Sequence, residues 1–167
     1  MFEKGETVYY GTAGVCKVND ICRSPFDPSD ERMYYVLEPS DLTGGTIIYA
    51  PADNDRVLLR ALMTEDEANA LISSIPLLPV LEIASERQRR EEYRNAMKDG
   101  TPESLVRVIK TIYTRKSTGN KDKKRMSDTD TEFDKVARRA LLGELCAVLG
   151  TPANEIESLI NSEMKKA

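Results

Sequence analysis

The 167-residue chain contains no histidine and no tryptophan, and only three of its residues are cysteines. Without an imidazole, catalytic triads of the Ser-His-Asp or Cys-His kind are excluded, and the usual ligand of a metal-bound hydroxide is missing. An odd number of cysteines without a short-range framework argues against disulfides. Cys16 and Cys22 have no second ligand pair to complete a tetrahedral site. The sequence therefore predicts neither a catalytic residue nor a metal site.

Long apolar stretches are also missing from the chain. No run approaches the ~20 residues of a membrane-spanning helix, and the first residues lack the basic-then-apolar order of a secretory signal. The Gly44-Gly45 pair precedes a strand pattern, whereas a nucleotide-binding loop requires a helix and a lysine. We therefore expect a cytoplasmic protein that is not an enzyme, with no cofactor, membrane partner or small-molecule substrate.

Charge is distributed unevenly along the chain. Residues 1–76 carry 6 basic and 13 acidic side chains, whereas residues 77–167 carry 18 basic and 15 acidic ones. The segment 85–125 alone has 13 basic and 6 acidic residues, within a chain whose formal net charge is −4. A basic segment of this kind is typical of nucleic-acid-binding surfaces, although ordinary solvated helices carry similar runs.

Short strand patterns separated by turn residues occupy the first third of the sequence. Five strands are predicted, near residues 5–10, 15–18, 33–37, 46–50 and 57–59. Five short strands with tight turns favour a small barrel of the SH3 or Tudor kind, because a narrow sheet hides its edges by curling. The fourth strand is apolar on both faces. Either Ile48 lies in the core with Tyr49 at the rim, or this strand pairs with a protein partner through its edge.

Helix signals dominate the rest of the chain. Thr64 and Glu67 form a capping-box pattern, which predicts a helix to about Ser73. Residues 74–79 contain two prolines and are predicted as a domain hinge. A further helix is expected over about 83–97, followed by apolar stripes at helical spacing. This pattern indicates an all-α helical bundle, so the whole chain is expected to be α+β.

Two predicted helix junctions share the sequence Gly-Thr-Pro, at residues 100–102 and 150–152. Each predicts a helix end at glycine, an N-cap at threonine, and proline in the first turn of the next helix. Ser127 and Asp130 are predicted as a second capping box. Helices joined with so little loop must turn sharply, which favours a compact bundle.

The helix predicted over 83–97 carries a ridge of arginines. Arg87, Arg90 and Arg94 recur at intervals of three and four residues, with Arg89 beside them, and such a ridge can follow a phosphate backbone. Weak surface ion pairs are expected in the same helix, between Glu86 and Arg90 and between Glu91 and Arg94. Exchanging such pairs for phosphate contacts costs little.

Taken together, several stretches resemble the CarD family of bacterial transcription regulators. In the front third they are MFEKGETVYYG at 1–11, MYYVL at 33–37 and IIYAP at 47–51. In the back half they are RREEYR at 89–94, LVRVIKTIY at 105–113 and ARRALLGEL at 137–145. The resemblance extends over essentially the whole chain in the order of the family.

This resemblance implies a division into three parts. Residues 1–63 would be a Tudor-like module that adds a strand edge to the RNA polymerase β subunit, and residues 64–80 a helix and hinge. Residues 81–167 would be a helical domain that binds promoter double-stranded DNA near the upstream edge of the transcription bubble. Family members typically stabilise the open complex, so a role in modulating its stability is implied here.

The resemblance also implies which residues contact the polymerase and the DNA, at the positions that match the motifs of the family. The implied polymerase contact consists of Arg23, Ile47, Ile48, Tyr49 and Pro51. The implied DNA contact consists of Arg87, Arg89, Arg90 and Arg94 together with the loop residues Lys121, Lys123, Lys124 and Arg125.

The sequence departs from the family at two of these places. Well-studied members have an arginine in the fourth strand where Tyr49 stands, and a tryptophan that wedges into the minor groove where this chain has none. Leu81 or Ile83 is a candidate for a smaller wedge, and the alternative is that both are hinge or core residues. We expect the polymerase and phosphate contacts to persist, and open-complex activation to be weaker.

A protein-interaction adaptor that does not bind DNA is the alternative function. Salt dependence separates the two, because affinity for phosphates falls steeply with salt concentration, whereas affinity through strand addition is much less sensitive.

Overall fold

The computed structural model describes residues 1–41, 45–118 and 127–167. They form two compact units, Met1–Leu62 and Met63–Ala167. The first contains strands and the second contains helices, so the predicted α+β class is confirmed. None of the helices in these ranges is long and apolar enough to cross a membrane.

The first unit is a five-stranded antiparallel sheet. Its strands are β1 (Thr7–Tyr10), β2 (Gly14–Arg23), β3 (Met33–Pro39), β4 (Ile48–Pro51) and β5 (Leu59–Ala61). A 3-10 turn at Gly11–Ala13 joins β1 to β2. The strand order is β4-β3-β2-β1-β5, so β4 and β5 are the edge strands of this order. All five predicted strands are confirmed, although β4 starts two residues later than predicted and includes Pro51, and β5 is displaced by two residues.

One face of the sheet forms the core of this unit. The buried side chains are those of Val8, Cys16, Val18, Tyr35, Leu37 and Ala50. An irregularity in the β2–β3 register between Val18 and Asp20 adds one residue to β2. Because of this bulge, Val18 and Ile21 face the same side although they are three residues apart.

The second unit contains five helices in its described parts. They are α1 (Glu65–Ser74), α2 (Glu86–Asp99), α3 (Pro102–Thr118), α4 (Asp128–Leu149) and α5 (Ala153–Lys165). α3 packs against α2 and α4, and α4 also packs against α1 and α5. The core contains the two apolar stripes of the sequence, including Leu105, Ile109 and Ile112 of α3 and Leu141 and Leu145 of α4.

Helix ends follow the predicted caps with two exceptions. Ser127 caps α4 by accepting from the N–H of Asp130, but the Asp130 carboxylate accepts from Arg89 and Tyr93, so the predicted second capping box is only half formed. Thr64 and Glu67 form a complete capping box. Gly100 ends α2 in the left-handed conformation, and Thr101 Oγ1 accepts a hydrogen bond from the N–H of Ser104 at 3.2 Å. The prediction for the second Gly-Thr-Pro junction is wrong in its details. Pro152 itself occupies the N-cap position, and the Thr151 hydroxyl instead donates to a carbonyl of the preceding turn.

The segment before α2 is attached to α3. Lys110 Nζ donates hydrogen bonds to the carbonyls of Ile75, Pro76 and Leu78 at 2.7 to 2.8 Å. The N–H of Leu81 donates to the hydroxyl of Thr111 at 2.8 Å. Residues 64–80, predicted as a helix and hinge, lie inside the second unit, and the backbone of Ile75, Pro76 and Leu78 is held in place by α3.

Candidate functional site

Among the described residues β4 is an edge strand, and its backbone register defines which groups face outward at this free edge. In an antiparallel pair, the N–H and C=O of one residue point to the same side, and successive residues alternate. The N–H of Ala52 donates to the carbonyl of Met33 in β3 at 2.8 Å. Because this orientation repeats every second residue, the N–H and C=O of Ala50 and Ile48 also point toward β3. The N–H and C=O of Tyr49 therefore point away from the sheet.

Pro51 limits this edge at one end. Its position has the same outward orientation as Tyr49, and proline has no N–H, so only its carbonyl is available there. This orientation also explains why a proline is tolerated within β4, since no ladder hydrogen bond to β3 is lost. The outward donor of β4 is thus the Tyr49 N–H.

Side chains alternate across β4 in the same way. Ile48 packs against the core cluster, whereas Tyr49 lies on the outer face, with 38 % of its surface exposed. Ile47 precedes the strand and is 40 % exposed. The structure thus brings together Ile47, Ile48, Tyr49 and Pro51. Arg23 is apart from them: it is on β2, pairs with Met33 and faces the opposite side from Tyr49.

An aromatic cluster beside β4 was not predicted as a site. Phe26, from the β2–β3 loop, makes edge-to-face contacts with Tyr49 and Tyr34, with ring centroids 5.4 and 6.1 Å apart. Phe26 is nevertheless 72 % exposed. The signal in the sequence was a phenylalanine between two prolines in an otherwise polar loop, which we interpreted only as a chain turn.

The loop that carries Phe26 is held by charged hydrogen bonds. Asp30 accepts from the guanidinium of Arg32 at 2.7 to 3.0 Å and from the Tyr34 hydroxyl at 3.3 Å. The hydrogen bonds from Arg32 lower the pKa of the Asp30 carboxyl to about 2. The guanidinium of Arg32 also lies over the Tyr34 ring, 5.9 Å from its centroid. The loop is therefore charged and fixed at neutral pH.

α2 presents the candidate basic surface of the second unit. Arg87, Arg94 and Lys98 are exposed on one side of the helix, and none of them has an ion-pair partner within the described ranges. Arg90 is exposed too, but it forms an ion pair with Glu132 at 3.1 Å and lies over the ring of Phe133. The predicted ridge of Arg87, Arg90 and Arg94 is thus accessible, with Arg90 partly neutralised.

Arg89 is on the opposite side of α2 and is only 6 % exposed. Its guanidinium donates to Asp130 of α4 at 3.3 Å and to Glu86 of its own helix. The Tyr93 hydroxyl donates to the same Asp130 carboxylate at 2.9 Å. Burial, and then this hydrogen bond, raise the pKa of Tyr93. Arg89 therefore joins α2 to α4 and is removed from the accessible ridge.

The ion pairs predicted within α2 are wrong. Glu86 pairs with Arg89 and with Arg115 of α3, and Arg90 pairs with Glu132 across to α4. Spacing along one helix did not reveal Arg115 and Glu132 as partners, because they lie on neighbouring helices, and Glu86 pairs within α2 with Arg89 and not with Arg90.

Leu81 and Ile83, the candidate wedge residues, are both half-buried. They precede α2, which begins at Glu86 after an N-cap at Ser85, so the predicted helix start at 83 is wrong. Lys121, Lys123, Lys124 and Arg125 lie outside the described residues.

Comparison with known protein families gives a match for the first unit. A family model of the CarD-like/TRCF RID domain matches residues 2–63, which are the five-stranded sheet and its edges. No curated protein matches the chain significantly. The matched domain is one that interacts with RNA polymerase, and its free β4 edge is the kind of surface that pairs with another protein. Residues 2–63 are therefore a CarD-like/TRCF RID domain, the kind of domain that interacts with RNA polymerase.

Proposed function

We propose that this chain is a bacterial transcription regulator with two contacts, and that it modulates the stability of the open complex at initiation. Residues 1–63 bind the RNA polymerase β subunit through the free edge of β4. Residues 81–167 bind promoter double-stranded DNA, and residues 64–80 connect the two parts. The outward backbone of Tyr49 is the observation that supports the polymerase contact most directly.

The β4 edge suits strand addition better than the β5 edge. Exposed edges in soluble proteins are usually blunted by charge, by proline or by very short strands. β5 has three residues, and the Arg60 guanidinium lies 4.2 Å from the Tyr9 ring centroid, so a charged side chain occupies that edge. β4 has no charged residue, and its proline lies at the end of the strand. A partner strand would find main-chain hydrogen bonds at Tyr49 and apolar contact at Ile47.

The outward N–H of Tyr49 provides a sharp test. Tyr49→Pro removes this donor together with the side chain, whereas Tyr49→Ala removes the side chain alone. Their difference therefore reports the lost donor together with the fixed φ of proline, and thermal unfolding of both variants verifies that the sheet is intact. Neither change touches the β3–β4 ladder. We expect Tyr49→Pro to bind polymerase core enzyme at least several-fold more weakly than Tyr49→Ala in a titration with the full-length chain, because one buried hydrogen bond is worth about 1 kcal/mol. Equal affinity of the two variants would reject strand addition at β4.

Ile48→Glu is a poorer probe of the same edge. The Ile48 side chain packs against the core cluster, so a buried glutamate would destabilise the sheet itself. Weaker binding by that variant would not distinguish damage to the interface from unfolding of the sheet.

The DNA contact is supported by the cations of α2 that have no ion-pair partner among the described residues. Arg87, Arg94 and Lys98 span about 16 Å along the helix at 1.5 Å per residue, and Arg90 adds a fourth charge beside them. Cations without an ion-pair partner bind phosphate with no competing carboxylate to displace. Arg89 is left out of this surface because its guanidinium is buried against Asp130.

The salt dependence of DNA binding tests this surface. The double variant Arg87→Gln/Arg94→Gln should weaken binding to duplex DNA and should reduce the slope of log K against log salt by about 2, close to one for each phosphate that is no longer neutralised. Lys17→Gln is a matched control, because Lys17 is an exposed cation of the sheet without an ion pair in the described part of the chain. An unchanged slope in the double variant would favour the adaptor function without DNA binding.

A wedge action is proposed for Leu81 or Ile83. The N–H of Leu81 is fixed by Thr111, so the residues just before α2 are presented on a rigid support. Alanine at Ile83 should shorten the open-complex lifetime on a linear promoter while leaving affinity for duplex DNA within about twofold, since a wedge acts on the unstacked state. An unchanged lifetime with alanine at both positions would identify these residues as packing only.

A further inference from the structure

The exposed ring of Phe26 has no packing role that explains its position. Its edge-to-face contacts with Tyr49 and Tyr34 have interplanar angles of 82° and 75°, yet most of the ring faces solvent. A large aromatic side chain held beside a free strand edge is a typical anchor of a protein interface.

The loop holds this ring in place before any partner arrives. Ser24 Oγ accepts hydrogen bonds from the N–H groups of Phe26 and Asp27 at 3.4 and 3.3 Å. Asp27 Oδ1 accepts from the N–H of Ser29 at 2.8 Å, and Asp30 holds Arg32. Binding therefore does not have to order the loop, which removes an entropic cost.

The register places one residue of an added strand next to this ring. Residues paired across neighbouring strands project on the same face, with Cβ atoms about 5 Å apart. The Tyr49 side chain lies on the outer face and touches Phe26. The partner residue paired with Tyr49 must therefore project beside both rings.

The chemistry around the two rings favours a cation. Residues 1–62 contain 10 acidic and 6 basic side chains. Asp27 and Glu31 have no ion-pair partner within the ranges that the structure describes. Arg32 already lies over Tyr34 in the same cluster, so this surface accepts a guanidinium. Aromatic faces on an acidic surface attract lysine and arginine more than aliphatic side chains.

We propose that Phe26 and Tyr49 form a specificity site for an arginine or lysine side chain of the polymerase segment that pairs with β4. This inference rests on the proposed function, because it uses strand addition to position that side chain. Phe26 is then a specificity-determining residue, and the Tyr49 backbone provides the hydrogen bonds that hold the segment.

Three substitutions of Phe26 distinguish a cation from an apolar contact. Phe26→Tyr keeps the ring, Phe26→Leu keeps apolar volume without a π-system, and Phe26→Ala removes both. In titrations of polymerase core enzyme with the full-length chain, we expect Phe26→Tyr to bind within twofold of the unsubstituted chain. Phe26→Leu and Phe26→Ala should both bind roughly tenfold more weakly. Leu77→Ala, an exposed apolar residue of the second unit, should not change the affinity.

Several results would overturn this proposal. Phe26→Leu binding as well as Phe26→Tyr would show an apolar contact, and three Phe26 variants that bind like the unsubstituted chain would show no contact. If Tyr49→Pro and Tyr49→Ala bind equally, strand addition fails and the specificity site fails with it. If Tyr49→Pro loses affinity while all Phe26 variants keep it, only the specificity site is rejected. Thermal unfolding of each variant verifies the fold, which an exposed loop position should leave intact.

Discussion

At the scale of single residues, Arg89 and Arg94 show how burial assigns different roles to identical side chains on one helix. Arg94 is exposed and has no ion pair among the described residues, whereas Arg89 is buried between Asp130 and Glu86. Arg115 of α3 lies 3.7 Å from the same Asp130 carboxylate. Asp130 therefore compensates two cations and accepts the Tyr93 hydroxyl, so it holds three helices together.

Removing the Asp130 carboxylate should lower the free energy of unfolding substantially. Asp130→Ala leaves the Arg89 guanidinium buried with Glu86 as its remaining carboxylate, and breaking a buried ion pair from one side typically costs about 3 kcal/mol. Asp128→Ala, an exposed aspartate in the first turn of the same helix, should cost less than about 1 kcal/mol. Urea unfolding of both variants measures the difference. A similar small loss in both would mean that the network contributes little to stability.

Cys16 makes a pH-dependent contribution to stability. Burial in the core, and additionally the charge of Asp41, raise the pKa of the Cys16 thiol from 9.0 to about 11. The folded state therefore retains a proton that the unfolded chain releases near pH 9. This contribution is complete below pH 9 and is lost as the pH rises through about 11.

The free energy of unfolding should accordingly fall more steeply between pH 9 and 11 in the unsubstituted chain than in Cys16→Ala. Urea unfolding across this range measures both slopes. Equal slopes in the two proteins would show that other groups account for the whole loss of stability at alkaline pH.

At the scale of elements, glycines with positive φ determine how strands and helices are joined. Gly11 starts the turn between β1 and β2 with φ +43°, and Gly150 ends α4 with φ +61°. A Cβ on Gly11 would lie 2.6 Å from a methyl carbon of Val57, whereas a Cβ on Gly150 would meet no atom within 4 Å. The first glycine is thus required by conformation and by space, and the second by conformation alone.

Alanine at the two positions should therefore lower the stability of the fold by different amounts. Gly150→Ala should lose about 1 kcal/mol, from left-handed strain. Gly11→Ala adds a steric clash that typically costs a further 1–3 kcal/mol, so roughly 3 kcal/mol in total is expected. Val57→Ala in the Gly11→Ala background should recover part of that loss. Thermal unfolding compares the variants, and equal losses at both glycines would contradict the steric argument.

For the whole molecule, the proposed polymerase contact and the proposed DNA contact lie in one chain, so each would tether the other. A tethered second contact acts at an effective concentration set by the linkage, which can raise overall avidity by a factor of 10² or more. The proposed DNA surface can therefore be weak on free DNA and still be occupied at a promoter that holds polymerase.

Tyr49→Pro should accordingly leave affinity for free duplex DNA unchanged. In the presence of polymerase, the concentration of Tyr49→Pro needed to occupy the promoter should be about 100-fold higher than that of the unsubstituted chain. Footprinting with and without polymerase measures both quantities. Equal promoter occupancy by Tyr49→Pro and Tyr49→Ala would exclude tethering through this edge.

Most strands and helices of this protein could be predicted from the sequence, because periodicity, caps and turns are local properties. Five strands, the Thr64 capping box, the Gly100 helix end and the apolar stripes of α3 and α4 were all predicted from short windows. The family resemblance was carried by motifs of the same local kind, and it identified the first unit correctly.

Which side chains remain available to a partner depends on how the elements pack against one another. The burial of Arg89, the cross-helix partners of Glu86 and Arg90, the bulge beyond Val18 and the contact of Phe26 with Tyr49 all depend on residues far apart in the chain. Availability is a property of packing, since a charge is free or compensated according to what neighbouring elements bring next to it. The outward backbone of Tyr49 likewise follows from the β3–β4 register, which no single stretch of sequence specifies.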